Sequence, residues 1–358
     1  MSVSAADREA ALEIARPSYR DIPLYSVNQA PVAVDLSDNT NLWGVPPAAA
    51  RAIADAAATV TRYPAVYASG LKALLAEYVG VRAEAIVTGC GSDDVIDSAI
   101  RAVAEPGDRI AHPEPTFHMA VTFGRMNGLV PVAVPLDHSW DADPEAFVAT
   151  GARVIYLCTP NNPTGTVMSR AAIEYVVEHA PGLVIIDEAY AEYAGTTAMD
   201  LAALSDRLLV TRTMSKAFGL AGLRIGYATG APTLIREVEK SRGPYKVNVI
   251  AERAARAALT DDLQWVRSRV DEAIANRERL AAELMAMGMP PLPSAANFLL
   301  VPTPRAATLA QRLRELGVGV RPYIGLLGVG EALRVTVGPW ALMQTFLDAV
   351  RRALAEAT

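Results

Sequence analysis

Between Val32 and Gly226, short apolar runs of four to six residues alternate with longer amphipathic stretches. That alternation predicts repeated βα units around a mainly parallel sheet. The predicted strands are Ala85–Thr88, Arg109–His112, Val130–Val134, Val154–Cys158, Leu183–Ile186, Leu208–Thr211 and Arg224–Ala228, a sheet of about seven. Between them lie helical stretches such as Asp93–Ala104, whose Val95, Ile96, Ala99, Ile100 and Val103 recur at helical spacing. After Pro244 the texture changes: a charged helical stretch over Asn248–Met287, a strand at Asn297–Val301, a helix over Ala306–Leu316, two short strands, and a closing helix from Trp340. The expected fold is α/β, a large unit over residues 30–245 with a smaller α+β unit built from 246–358. Residues 1–29 have no strand partner of their own and are expected to pack on the second unit.

With 358 residues, 51 % hydrophobic and 20 % charged, the chain can bury an extensive core and is not a disordered polymer. A formal net charge of −6 argues against a broad grip on nucleic acid, while leaving room for a local basic pocket that takes small anions. Asp7, Glu9 and Glu13 stand where a signal peptide needs an apolar core, and no run of about 18 uncharged apolar residues occurs. The expectation is a cytoplasmic chain that does not engage a membrane. Cys90 and Cys158 read as two buried free thiols. The four histidines, His112, His118, His138 and His179, lack the spacing of a metal site, so metal catalysis is set aside.

Ligands of open α/β sheets collect at the carboxyl ends of parallel strands, which directs attention to four junctions. In Thr88–Asp94 (TGCGSDD), Gly89 and Gly91 allow close backbone approach and the helix start offers free N–H groups to an anion. A plain capped turn with Ser92 as N-cap is the alternative. In Cys158–Gly165 (CTPNNPTG), Pro160, Pro163 and Gly165 hold the amides of Asn161 and Asn162 at a strand end, or simply build an elaborate turn. In Leu183–Tyr190 (LVIIDEAY), Asp187 ends an apolar run; a buried carboxylate there needs a cation or a strong donor, so a positive group is expected against it. It could instead cap a helix starting at Glu188. In Thr211–Gly226 (TRTMSKAFGLAGLRIG), Lys216 lies among small and apolar residues, which lowers an amine pKa and suits Schiff-base formation, whereas most lysines are solvated.

Taken together, an anion nest, a strand-end amide, a buried carboxylate and a lysine among small residues match the needs of pyridoxal phosphate. The motifs NNPTG, DEAY, TMSKAFGLAGLRIG and RVTVG resemble those of fold-type I, class I/II aminotransferases, most closely the histidinol-phosphate aminotransferase family, from about Val32 to the end. The resemblance implies a large domain with a mainly parallel seven-stranded sheet, a smaller α+β domain and pyridoxal 5'-phosphate as cofactor. It further implies a homodimer with shared sites, acting on a small-molecule amino donor and a 2-oxo acid such as 2-oxoglutarate.

Carried over onto this sequence, the resemblance makes Lys216 the Schiff-base lysine and proton shuttle, and Asp187 the partner of the cofactor's ring nitrogen. Asn162 and Tyr190 would bind the phenolic oxygen, and Phe117 would stack on the ring unless it is simply a core residue. Ser92, Asp93, Thr213, Ser215 and Arg224 would hold the phosphate, with the carboxylates of Asp93 and Asp94 turned away from it. Tyr63 would reach the phosphate of the neighbouring subunit. Arg334 would bind the anionic end of the substrate, carboxylate or phosphate, because its planar fork suits either. Arg321 would assist it or make a surface salt bridge. Asn248 and Asn297 are expected to be structural.

The chain departs from the family pattern at NTNLWG, Asn39–Gly44, where Trp43 adds an aromatic surface at the expected substrate mouth. Tyr25 could replace a tyrosine otherwise missing there, and Lys246 stands where relatives often carry Asn. The favoured reading is histidinol phosphate as donor, with aromatic amino-acid transamination as the close rival. Phosphoamino-acid decarboxylation and a non-catalytic sensor are more distant. An attached DNA-binding domain is not expected, since the first motif already begins at Asn39.

Overall fold

The computed structural model describes residues 14–25 and 30–355. Its strands are β1 (Val34–Asp35), β2 (Ile86–Cys90), β3 (Arg109–Glu114), β4 (Val130–Pro135), β5 (Val154–Cys158), β6 (Leu183–Asp187), β7 (Leu208–Thr213), β8 (Ile225–Gly230), β9 (Phe298–Pro302), β10 (Val318–Gly319), β11 (Arg321–Leu326) and β12 (Gly330–Thr336). Seven of them form one sheet in the order β2-β8-β7-β6-β5-β3-β4. All its pairings are parallel except the two that β8 makes with β2 and β7.

The central strands are apolar on both faces because helices cover both faces. Along β5, Ile155 and Leu157 enter one core cluster while Val154, Tyr156 and Cys158 enter the other; β6 divides in the same way. Register aligns the strand ends, setting Cys158 beside Asp187 and Asp187 beside Thr211. At the antiparallel strand, Gly226 faces both Gly89 and Thr213. A Cβ on Gly226 would lie 2.0 Å from the Ser92 nitrogen, so only glycine lets the loop after β2 settle on β8.

A second core gathers Leu299, Val301, Leu333, Val335 and Phe346 beneath the antiparallel sheet β11-β12-β9. Val34 and Leu36 join this core, and β1 pairs with β10. The expected helical stretch over Asn248–Met287 is two helices, Val249–Asp261 and Leu263–Ala286. They part at Asp262, whose carboxylate accepts the N–H groups of Ala48 and Ala49 at 2.8 and 3.0 Å. The first packs Ala251, Ala254, Ala255 and Ala258 into the large core. The second is about 36 Å long and places Val270 and Ala273 in the large core but Leu280 and Leu284 in the small one. Chain position 246 is therefore not where the packing changes hands.

The packing expected of residues 1–29 is corrected where it is described. The Arg16 guanidinium donates to the Met126 carbonyl at 2.7 Å and Tyr25 stacks on His118, so this segment lies on helix His118–Met126 of the large unit. Residues 1–13 and 26–29 lie outside the described residues. Both cysteines are free, but only Cys158 is buried; Cys90, closing the sheet-edge strand β2, is exposed.

Candidate active site

The carboxyl ends of β5, β6 and β7, the loop after β2, and strands β11 and β12 enclose a cavity of about 290 Å³. It brings together residues dispersed over most of the chain. Tyr25, Ser92, Asp93, Phe117, Asn162, Asp187, Tyr190, Thr213, Ser215, Lys216, Arg224, Arg321 and Arg334 all line it.

Asp187 is buried at the end of β6, with Tyr156 donating to Oδ2 at 2.8 Å. The Ala189 N–H and the Thr211 hydroxyl reach Oδ1 at 3.2 and 3.3 Å. No cation of the described residues pairs with it, which leaves the expected positive partner to a ligand, and burial pushes its pKa up to about 6. Nor does it cap a helix at Glu188, since the next helix begins at Ala191. A carboxylate left this way on a cavity wall is costly in the free protein and suited to a cationic ligand.

Lys216 follows β7, and its Nζ donates to the Asp38 carbonyl at 3.1 Å. Burial lowers its pKa to about 8, and the charges of Arg334 and Arg224 add to this, opposed by Asp38 and Asp93. The free amine, which is the nucleophile, is thus accessible near neutral pH.

Behind the amine lies an anion cradle. Gly91, at φ +85°, opens helix Ser92–Val103, so Ser92 is not the N-cap, and no side chain of the described residues caps the helix-start N–H groups. The hydroxyls of Thr213 and Ser215 sit 2.9 Å apart alongside, and Arg224 closes the cradle from a left-handed backbone position at φ 55°. Asp94 turns away as expected, accepting the Cys90 N–H and pairing with Lys246, each at 3.0 Å. Lys246 thereby gains a place in the structure. Asp93 does not turn away: its carboxylate lines the cavity and meets Arg224 at 3.4 Å, drawn by the opposite charge.

On the opposite wall, the Arg334 guanidinium donates to Asn162 Oδ1 at 2.6 Å, the Ser37 carbonyl at 2.6 Å and the Tyr323 hydroxyl at 3.1 Å. Its Nε is buried without a hydrogen-bond partner among the described residues. All these acceptors are neutral. Asn39 donates to the Tyr190 hydroxyl at 3.1 Å, and burial holds that phenol above its usual range. Arg321 lies directly across from Arg334 in the β11–β12 register.

Two expected residues stand apart. Trp43 does not line the cavity; its indole packs against the large core and its Nε1 is buried without a partner. Tyr63 is 83 % exposed and stacks on Tyr245 at 4.9 Å, outside the cavity of its own chain. Asn248 caps its helix by accepting the Ala251 N–H at 2.9 Å, and Asn297 donates to the Asn39 carbonyl at 3.0 Å. Sequence reasoning assigned no site role to Asp38, Asn39, His118 or Tyr323, which also line the cavity. Asn39 carried a signal in the NTNLWG segment; the others had none beyond proximity to a motif.

The donor set fits pyridoxal phosphate. The carboxylate without a cation suits a pyridinium, the amine of lowered pKa suits a Schiff base, and the free helix-start N–H groups with Arg224 suit a phosphate monoester. The family model for aminotransferase class I and II matches residues 31–350. The histidinol-phosphate aminotransferase of Roseiflexus castenholzii is 40 % identical over 332 residues, covering 89 % of each chain. The aromatic amino acid aminotransferase of Nocardia farcinica is 38 % identical over 337 residues, covering 90 % of this chain and 92 % of its own. The crystal structure of histidinol-phosphate aminotransferase from Sinorhizobium meliloti in complex with pyridoxal-5'-phosphate shares the fold, with a TM-score of 0.87, 24 % identity and coverage of 98 % and 100 %. Matched over nearly its whole length, the chain belongs to the class I and II aminotransferase family.

Proposed function

We propose that the protein is a histidinol-phosphate aminotransferase, moving an amino group reversibly from histidinol phosphate to a 2-oxo acid such as 2-oxoglutarate. The observation that carries this reading is the pair Arg321 and Arg334. They are directly opposed across two antiparallel strands, both line the cavity, and neither has a carboxylate partner among the described residues. Like charges so placed repel, and a dianionic phosphate ester offsets the repulsion better than a monoanionic carboxylate. The name of the Roseiflexus relative points the same way.

Bound pyridoxal phosphate supplies an electrophilic carbonyl and an electron sink. The chain supplies the rest. Lys216 would take the proton from the donor's α-carbon, a role suited to an amine whose pKa is about 8. Asp187 holds the proton on the cofactor's ring nitrogen. Asn162 and Tyr190 would bind the phenolic oxygen, Phe117 would pack on the ring, and Ser92, Asp93, Thr213, Ser215 and Arg224 would hold the phosphate. Exposed Tyr63 fits a homodimer in which it serves the neighbouring site. The large unit carries the cofactor and the small unit the substrate's anion, in a cytoplasmic enzyme.

The test is a half-reaction of the holoenzyme with histidinol phosphate or phenylalanine, followed by the absorbance of the bound cofactor. Faster conversion with histidinol phosphate supports the assignment. The reverse order favours the second reading, an aromatic amino-acid aminotransferase, for which the Tyr25–His118 stack and the Nocardia relative speak.

A further inference from the structure

His118 opens helix His118–Met126 and lines the cavity immediately after Phe117. Its ring lies parallel to Tyr25, with centroids 5.6 Å apart at 6°, and meets Phe117 edge-on at 5.9 Å. These contacts hold the imidazole in place without using its nitrogens. Among the described residues no hydrogen bond reaches either of them. By contrast, the Nδ1 atoms of His112 and His179 lie 2.9 Å from the carbonyl oxygens of Pro113 and Tyr175. Among the described residues no carboxylate orients the ring as a proton-transfer group. Burial lowers its pKa, and among the described residues the charges of Arg321 and Arg334 add to this, which keeps it neutral at pH 7. A neutral imidazole offers one N–H and one lone pair.

We propose that His118 is a specificity-determining residue, donating its ring N–H to the phosphate ester of the amino donor beside the two guanidinium groups of Arg321 and Arg334. This rests on the phosphorylated-donor reading above. A carboxylate has two oxygens, which the Arg334 fork can satisfy alone. A phosphate ester has three terminal oxygens, so a third donor lining the same cavity adds contacts for phosphate that a carboxylate cannot use. The stack on Tyr25 fixes the ring beforehand, which reduces the ordering cost on binding.

The experiment compares the wild-type holoenzyme with His118→Phe and His118→Asn in single-turnover half-reactions over a range of histidinol phosphate and phenylalanine concentrations. Phe keeps the aromatic stack and removes the hydrogen bond; Asn keeps a donor on a shorter arm. In the Phe variant the half-saturating concentration of histidinol phosphate is expected to rise about tenfold relative to that of phenylalanine. The limiting rate should change far less. The Asn variant should fall between the Phe variant and the wild type, and it carries the test alone if the Phe variant fails to load cofactor. Equal losses with both donors, or an unchanged ratio of the two, would overturn the proposal. If the wild type itself does not react with histidinol phosphate, the donor reading falls and takes the role of His118 with it, an outcome visible before any variant is made.

Discussion

Asp187 and Glu188 are adjacent in the chain, are both acidic and are both buried, yet their surroundings differ in kind. Glu188 accepts two hydrogen bonds from Arg212 at 2.8 and 3.0 Å, another from the Thr197 hydroxyl at 2.8 Å, and the Ala198 N–H. Asp187 has a phenol, a hydroxyl and one amide, and no cation among the described residues. A little further along the cavity wall, the Lys216 amine donates to the Asp38 carbonyl and lies 5.8 Å from the Tyr190 ring centroid, with no carboxylate paired to it among the described residues. At Glu188 the fold itself supplies the counter-charge, through Arg212. At Asp187 and Lys216, beside the cavity, it leaves the charges for a ligand to complete, at a cost in stability of the free protein.

The largest effect should come from Lys216→Ala. Half-reaction turnover should fall about 10⁴-fold or more, because no other amine replaces the Schiff-base group. Cofactor should still be retained noncovalently by the anion cradle, as read by equilibrium dialysis. Normal turnover would end the assignment.

The neighbouring acids give the sharpest test of the comparison. Asp187→Asn should lower the rate by about 10²- to 10³-fold while leaving the denaturant midpoint of the cofactor-free protein unchanged or raised. Glu188→Gln should do the opposite to stability, costing about 3–5 kcal/mol, because Arg212 loses its best-placed counter-charge inside the protein. Equal destabilisation by the two variants would erase the distinction.

A pH series on the cofactor-free protein should show the same contrast. The folded pKa of Asp187, about 6, lies above the unfolded value near 3.9. Between those values the native state binds more protons than the unfolded state, so stability should fall as pH rises through that window, by about 3 kcal/mol in all. Asp187→Asn should remove this component of the slope. The smallest effect should be that of Lys246→Met. Its pair with Asp94 is partly exposed, so solvent screening limits the loss to about 1 kcal/mol or less. A small weakening of cofactor retention should accompany it, because Asp94 is released beside the phosphate loop.

Much of this arrangement was legible because periodicity and local chemistry leave marks on a sequence. The strand at Val154–Cys158 and the position of Asp187 at the end of its strand were both foreseen, since continuous apolar runs between turn signals identify buried parallel strands. What failed depended on partners distant in the chain. Trp43 looked like a mouth residue and packs on the core instead; Asp93 was expected to turn aside and is held by Arg224, 131 residues away. His118 was noted only as a residue that binds no metal. Its neighbours Tyr25, Arg321 and Arg334 converge on it from three other parts of the chain.

The sequence by itself determined the local elements, the order of the α/β units and the chemical identities of the lysine, carboxylate and arginines, because hydrophobic period, glycine placement and side-chain type are local properties. Tertiary structure alone decided which charges would go unpaired. The register of β5, β6 and β7 sets Asp187 between Cys158 and Thr211, where no cation of the described residues pairs with it, and the register of β11 and β12 sets Arg321 opposite Arg334. The energy of a charge depends on what packing brings within a few ångströms of it, and that is not written at its own position in the chain.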